Sequence, residues 1–447
     1  VSRIRFALLV VLSLAALPTS ASSQHLADST VITRWRLANG LEVRTRHIPG
    51  AGGVAIAMAY RAGAVQLPPA RDGMAELLAE LQFTSAAGDV PERTREELPS
   101  LRPLGWDVRV NDHVVVLTEV AKSEQFPGVL RQVATRARGV QVSETSFRNS
   151  MSAVRAEMGR QRFGDVEPAL YYRVREVARG LDDAAILRKA SGEPLKDLTI
   201  REASDRLHQL YVPANASLAL VGDFSHVDVR ALVEREFGDI PAGESRRDSA
   251  AVPLRAASRT TLREGIPGSF AAYGLLAPSL DDSLHSSFFL AALVIGTWWS
   301  DQQHEQKSRL RSHFQYSLFD EPDLVRLDLT PEGTVTDAAQ LAPVLHVAMG
   351  FFDQALVTDT DYDAMRRGTA WLIGGPLPPM LVKQAHSNPG TLASVAFITA
   401  SRACWRGDAF WDRYLRRFQT ARIDRTKYTH WILDPRHEVL LLLRPKR

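Results

Sequence analysis

Cysteine is all but missing from this sequence: Cys404 is the only one in 447 residues. No intrachain disulfide and no cysteine-based zinc knuckle can form, so Cys404 reads as a small buried hydrophobe and the fold must rest on its core. Beyond the first two dozen residues no stretch reaches about 18 consecutive apolar residues, the least a helix needs to cross a bilayer. Blocks of like charge are also lacking. The 54 Lys+Arg are offset by 51 Asp+Glu, for a formal charge of +3, which gives nucleic-acid binding little support. There is no Gly-x-Ser-x-Gly elbow and no glycine-rich phosphate loop, which leaves no basis for a serine hydrolase of that type or a P-loop enzyme. The histidines, among them His113, His208, His304, His386 and His437, are scattered without a paired spacing.

The hydrophobic fraction of 45% and charged fraction of 23% are those of a globular protein, and the length allows two or three domains. Residues 1–23 have the three-part form of a secretory signal. Arg3 and Arg5 precede an apolar run from Phe6 to Leu17 and a small-residue stretch from Pro18 to Ser23, so a periplasmic or secreted product is expected. After it, Ile32 to Leu37 alternates apolar and polar residues, and Asn39-Gly40 predicts a tight hairpin turn into Glu42 to Thr45. A buried strand is expected at Gly53 to Tyr60. Met74, Leu77, Leu78 and Leu81 recur at helical spacing from about Gly73. Strand character returns from Val108 to Val120. Helices are expected over Glu124 to Arg138, Glu144 to Arg162, Pro168 to Arg179 and Arg201 to Leu210, and a strand at Leu218 to Val221. Pro241 to Ser249 is rich in turn formers and reads as a linker. Beyond it the order recurs: a strand near Ser269 to Leu276, a helix from Ser286 to Ile295, further helices and a closing strand at Val439 to Leu443. The expected architecture is α+β, a tandem of domains over 30–242 and 250–447.

Tyr211-Val212-Pro213-Ala214-Asn215, then Leu220-Val221-Gly222-Asp223-Phe224 and Phe237-Gly238-Asp239-Ile240-Pro241, resembles the ending of the first domain in pitrilysin/insulinase-type (M16) zinc peptidases. Asn39-Gly40-Leu41 is similar to that family's opening, and Leu198-Thr199 to its "l-t-x-x-d-l". Asp72 to Ser85 resembles its "G-x-A-H-x-x-E-H-x-x-F-x-G-T" with the chemistry replaced. In that inverted zincin motif two histidines one turn apart bind zinc, and the glutamate between them takes a proton from the attacking water. Here Glu76 and Glu80 stand at the histidine positions and Ala79 at the base. Glu157 matches the third ligand, a glutamate on a later helix, and Ser150 stands where an acid is common. In the second half Ser308 to Ser317 resembles "L-R-E-x-x-G-L-A-Y-S", with Arg309 and Tyr316 at positions that approach bound peptide and His313 in place of a glycine.

The resemblance implies two similar α/β-roll domains, each a sheet flanked by helices, enclosing a cleft. It also implies a degenerate subunit with no cofactor of its own, zinc residing only in an intact M16 partner. Peptide would be bound through Arg309 and Tyr316 and by strand addition to a sheet edge. A stand-alone peptide-binding or scaffold protein is one alternative. Another is a residual metallopeptidase in which Glu76, Glu80 and Glu157 hold a hard cation through oxygen alone. Against that site stands neutralisation of these carboxylates by nearby arginines or protonation of one of them, which is the preferred expectation.

Overall fold

The structure, a computed structural model, describes residues 31–246 except 164–165, 182–184, 186–187 and 190. Beyond these it describes 254, 258–264, 270–305, 310–315, 318, 324–331, 359–423, 425–432 and 434–445. The proposed signal segment, Arg309 and Tyr316 lie outside the described residues.

The chain forms two compact units, each built on one sheet. In the first, β1 (Thr33–Arg36), β2 (Glu42–His47), β3 (Gly53–Tyr60), β4 (Trp106–Val110), β5 (Val115–Lys122) and β6 (Ala216–Gly222) lie in the order β1-β2-β6-β3-β5-β4. Only β2 and β6 run parallel. The unbroken small and apolar sequence of β3 is buried at every position, as a strand covered on both faces requires. In the second unit β7 (Ser258–Glu264), β8 (Phe270–Leu276), β9 (Leu310–Gln315), β10 (Leu324–Pro331) and β11 (Glu438–Pro445) lie in the order β7-β11-β8-β10-β9, with β7 and β11 parallel. That order reproduces β2-β6-β3-β5-β4 strand for strand. The tandem expected from sequence is therefore a repeat of topology, in which the first strand of each five pairs in parallel with the last.

The helices described are α1 (Met74–Thr84), α2 (Phe126–Arg138), α3 (Glu144–Phe163), α4 (Val166–Ala178), α5 (Ile200–Leu210), α6 (Val229–Phe237), α7 (His285–Glu305), α8 (Asp359–Thr369), α9 (Pro379–Ser387), α10 (Pro389–Cys404), α11 (Gly407–Gln419) and α12 (Arg425–Ile432). Their membership departs from the expected division at the 241–249 segment. The first unit takes in 368–415 from late in the chain, and the second takes in 155–193 from early in it. Apolar stripes account for both assignments. Leu392, Val395, Ala396 and Ala403 of α10 are buried, and α10 lies across β3, β6 and β5. On α4, Leu170, Val174 and Val177 recur at helical spacing and pack against Phe270 and Ala272 of β8 and Val439, Leu441 and Leu443 of β11. Each large aliphatic side chain so buried contributes about 1.5–3 kcal/mol.

The β1–β2 hairpin forms in the expected place, but its connection is longer than a two-residue turn, since Arg36 pairs with Glu42. Gly40 alone takes positive φ, +88°. Asn39 is instead buried, donating through Nδ2 to the carbonyls of Phe237 at 2.7 Å and Ile240 at 3.0 Å while its Oδ1 accepts from Leu41 N. The Val108 to Val120 stretch is two strands joined through Asn111–Val114, and α7 runs ten residues past Ile295.

Candidate functional site

Helix α1 starts after Gly73, whose φ of +85° turns the chain into its first turn, and buries Leu77, Leu78 and Leu81. Phe83, near its end, stacks on Trp106 of β4 with centroids 5.6 Å apart. Just before α1, Arg71 clasps Glu202 through Nε at 3.2 Å and Nη2 at 3.0 Å. Glu202 belongs to α5, whose N-cap Thr199 accepts from Glu202 N through its hydroxyl. Thr84 Oγ1 donates to the Glu80 carbonyl at 2.7 Å and lies 3.4 Å from Ser150 Oγ on α3. The degenerate helix is thus fixed at both ends.

Position 79 presents a fully buried methyl group. The Glu80 side chain is 4% exposed and held by Arg95, with Nε donating to Oε1 at 2.7 Å and Nη2 donating to Oε2. Arg95 also lies over the Trp106 ring, 5.5 Å from its centroid. An ionised carboxylate only accepts, and a two-pronged guanidinium is its strongest neutralising partner. Glu76 is half-buried. It lies close enough to Tyr211 to add to the effect of burial in raising that phenol's pKa, and Tyr211 packs on Tyr60 at 4.7 Å. Burial likewise raises Tyr60, so both rings stay neutral. Glu157 on α3 accepts from Arg160 at 2.7 Å within the same helix, with its side chain 40% exposed.

These residues do not fit zinc. Where the resemblance expects two imidazoles stand the carboxylates of Glu76 and Glu80, the second is already held by a guanidinium, and nothing at position 79 can accept a proton. Among the described residues no group of three His, Cys, Asp or Glu is placed to hold a metal ion. Arg95 gave no signal in the sequence, because it lies in a short irregular stretch without periodicity.

The β4 edge of the first sheet lies beside α1. Val120 N donates to Gly105 O at 2.9 Å, and Asn111 N donates to Val114 O at 2.8 Å. With the β4–β5 register, antiparallel alternation turns the backbone groups of Trp106, Val108 and Val110 outward. Among the described residues no strand pairs with them. A hollow lined by Leu104, Gly105, Arg109, Thr118, Ala393 and Phe397 opens on the other face of this edge, where Arg109 stacks over Phe397 at 4.7 Å.

Residues 197–321 match the model of the family described as "Peptidase M16 inactive domain". Solved structures with the same fold include a protease from Helicobacter pylori, with 12% identity over 93% of this chain and 100% of that one and a TM-score of 0.66. An M16 inactive domain from Pseudomonas fluorescens has 14% identity over 93% and 98%, with the same TM-score of 0.66. The periplasmic protease PqqL from Escherichia coli has 14% identity over 97% of this chain and 48% of its own, with a TM-score of 0.59. No curated protein sequence matches the chain. The chain is M16-like, by the family match over residues 197–321 and by a fold shared with M16-type structures over 93% of its length. The resemblance carried by its sequence motifs is borne out to that extent.

Proposed function

We propose that this chain is the non-catalytic subunit of an M16 peptidase pair, exported to the periplasm or medium. There it joins an intact zinc subunit, stabilises it and helps hold extended peptide in a shared chamber. The cofactor, zinc, belongs to the partner. Ala79 carries this reading: hydrolysis needs a base to take the proton of water, and loss of a general base costs about 10²- to 10⁴-fold. The ion pair between Glu80 and Arg95 supports it, since it occupies a ligand position with a cation. The family resemblance implies pairing with an active subunit, the family matched over residues 197–321 is described as an inactive domain, and periplasmic PqqL, which shares the fold, is in keeping with export. Peptide binding is assigned to the outward backbone groups of Trp106, Val108 and Val110, which can pair with an added strand of loose sequence preference. Arg309 and Tyr316 are assigned a share in peptide contact by the resemblance alone.

Co-expression with an intact M16 subunit tests the reading. The expected result is a complex larger than either chain and faster peptide cleavage than the zinc subunit alone achieves. Chelator-sensitive turnover by this chain alone would refute it, as would a monomer that leaves the zinc subunit unchanged. Val108→Pro tests the edge. It removes an outward N–H only, which an edge strand tolerates. Affinity for a labelled unstructured decapeptide, measured by anisotropy, should fall at least tenfold with little change in stability. Unchanged affinity would rule out this edge.

A further inference from the structure

Successive side chains of β4 face opposite layers of the first unit. Trp106 and Val108 pair with Glu119 and Leu117 of β5, and Trp106 stacks on Phe83 of α1, so this set faces α1. Asp107 and Arg109 pair with Thr118 and Val116 and face α10, where the Arg109 guanidinium lies 4.7 Å from the centre of the Phe397 ring. The hollow beside the edge belongs to this second face. Half-buried Leu104 and Ala393 and buried Phe397 give it a chiefly apolar surface, and its enclosed part has room for about one methyl-sized group. Asp107 and Arg109 also line it and neutralise each other, Arg109 Nε donating to Asp107 Oδ2 at 2.5 Å.

A strand added to β4 bonds to the outward backbone groups of Trp106, Val108 and Val110, and its own side chains alternate in step with theirs. Peptide residues level with Asp107 and Arg109 therefore point to the α10 face, over the hollow. Resting on the strand-addition reading above, we propose that the hollow selects a small aliphatic side chain, alanine to valine in size, at that peptide position. A methyl group that fills it exchanges water for an apolar surface. A phenylalanine ring exceeds the space. A glutamate or lysine side chain meets a closed ion pair there, so entering the hollow costs its hydration with no new counter-charge.

Anisotropy with the full chain and four labelled decapeptides tests this, the peptides sharing one serine- and threonine-rich host and differing only at a central valine, phenylalanine, glutamate or lysine. The valine peptide should bind about tenfold more tightly than the other three. Phenylalanine favours strands as valine does, so the difference between those two reports size and not strand propensity. Ala393→Leu fills the hollow from α10. It should cancel most of the valine advantage and leave the glutamate peptide bound as before, which also shows that the variant is folded. Equal affinity for all four peptides in the parent chain overturns the proposal and leaves strand addition standing, and so does a valine preference that survives in Ala393→Leu. Val108→Pro separates the two readings, since it should weaken all four peptides alike. Failure of every peptide to bind the parent overturns both.

Discussion

Glu119→Gln is the sharpest perturbation the first unit offers. The substitution keeps shape but removes the carboxylate that Arg93, Arg102 and Arg136 act on. Breaking a buried ion pair from one side costs about 3–5 kcal/mol, and here a single carboxylate serves two guanidiniums directly, so a loss near the top of that range is expected. At roughly 2–4 °C per kcal/mol for a domain of 150–250 residues, Tm should fall by about 10 °C or more. Urea unfolding followed by circular dichroism measures it as a lower midpoint at unchanged slope. The acid limb supplies a second readout. Burial alone would raise the Glu119 pKa, but the arginines overcome this and hold it below the ordinary value. Its stabilisation is therefore complete above a pH of about 4.3, the unfolded value, and is lost as pH falls through the lower folded one. The variant should lack that part of the acid transition, and added salt should change the difference little, because the pair is buried. A loss below about 1 kcal/mol would refute the reasoning, by showing that the arginines rehydrate once the carboxylate is gone.

Asn39→Ala removes two donors to buried carbonyls and one acceptor, so a loss of about 2–3 kcal/mol is expected in chemical denaturation. A value near zero would mean that water replaces the amide. His285 is buried at the start of α7, where burial and then Arg417 lower its pKa to about 3. The unfolded chain takes up this proton first, so stability should fall as pH drops below about 6.5, by up to about 1.4 kcal/mol per unit until the folded value is reached. His285→Phe should flatten that slope in a pH series of denaturation midpoints, and an unchanged slope would remove His285 as its source.

Much of the fold was legible because side-chain period reports local geometry. The small residues of Gly53 to Tyr60 and the spacing of Met74, Leu77, Leu78 and Leu81 placed β3 and α1 correctly. At position 79 residue identity alone decides, since an alanine cannot accept a proton in any fold. What sequence concealed were choices of partner. Nothing in α10 says that its apolar stripe covers β3, β5 and β6 rather than a sheet made from its own half. Nor does the Pro91 to Glu97 stretch reveal that Arg95 will reach Glu80. Asn39-Gly40 signals a turn through its backbone, whereas the Asn39 amide bonds two distant carbonyls, a contact that only the folded chain brings about.

The interleaving of segments has a consequence for biogenesis. A ribosome that has reached residue 250 has made every strand of the first sheet but not α10, which covers β3 and β6. One apolar face of that sheet stays bare until the 389–404 segment has emerged, so the nascent chain cannot close its first core before then. For that interval the bare face is open to any other apolar surface it meets, which makes it an aggregation hazard during synthesis.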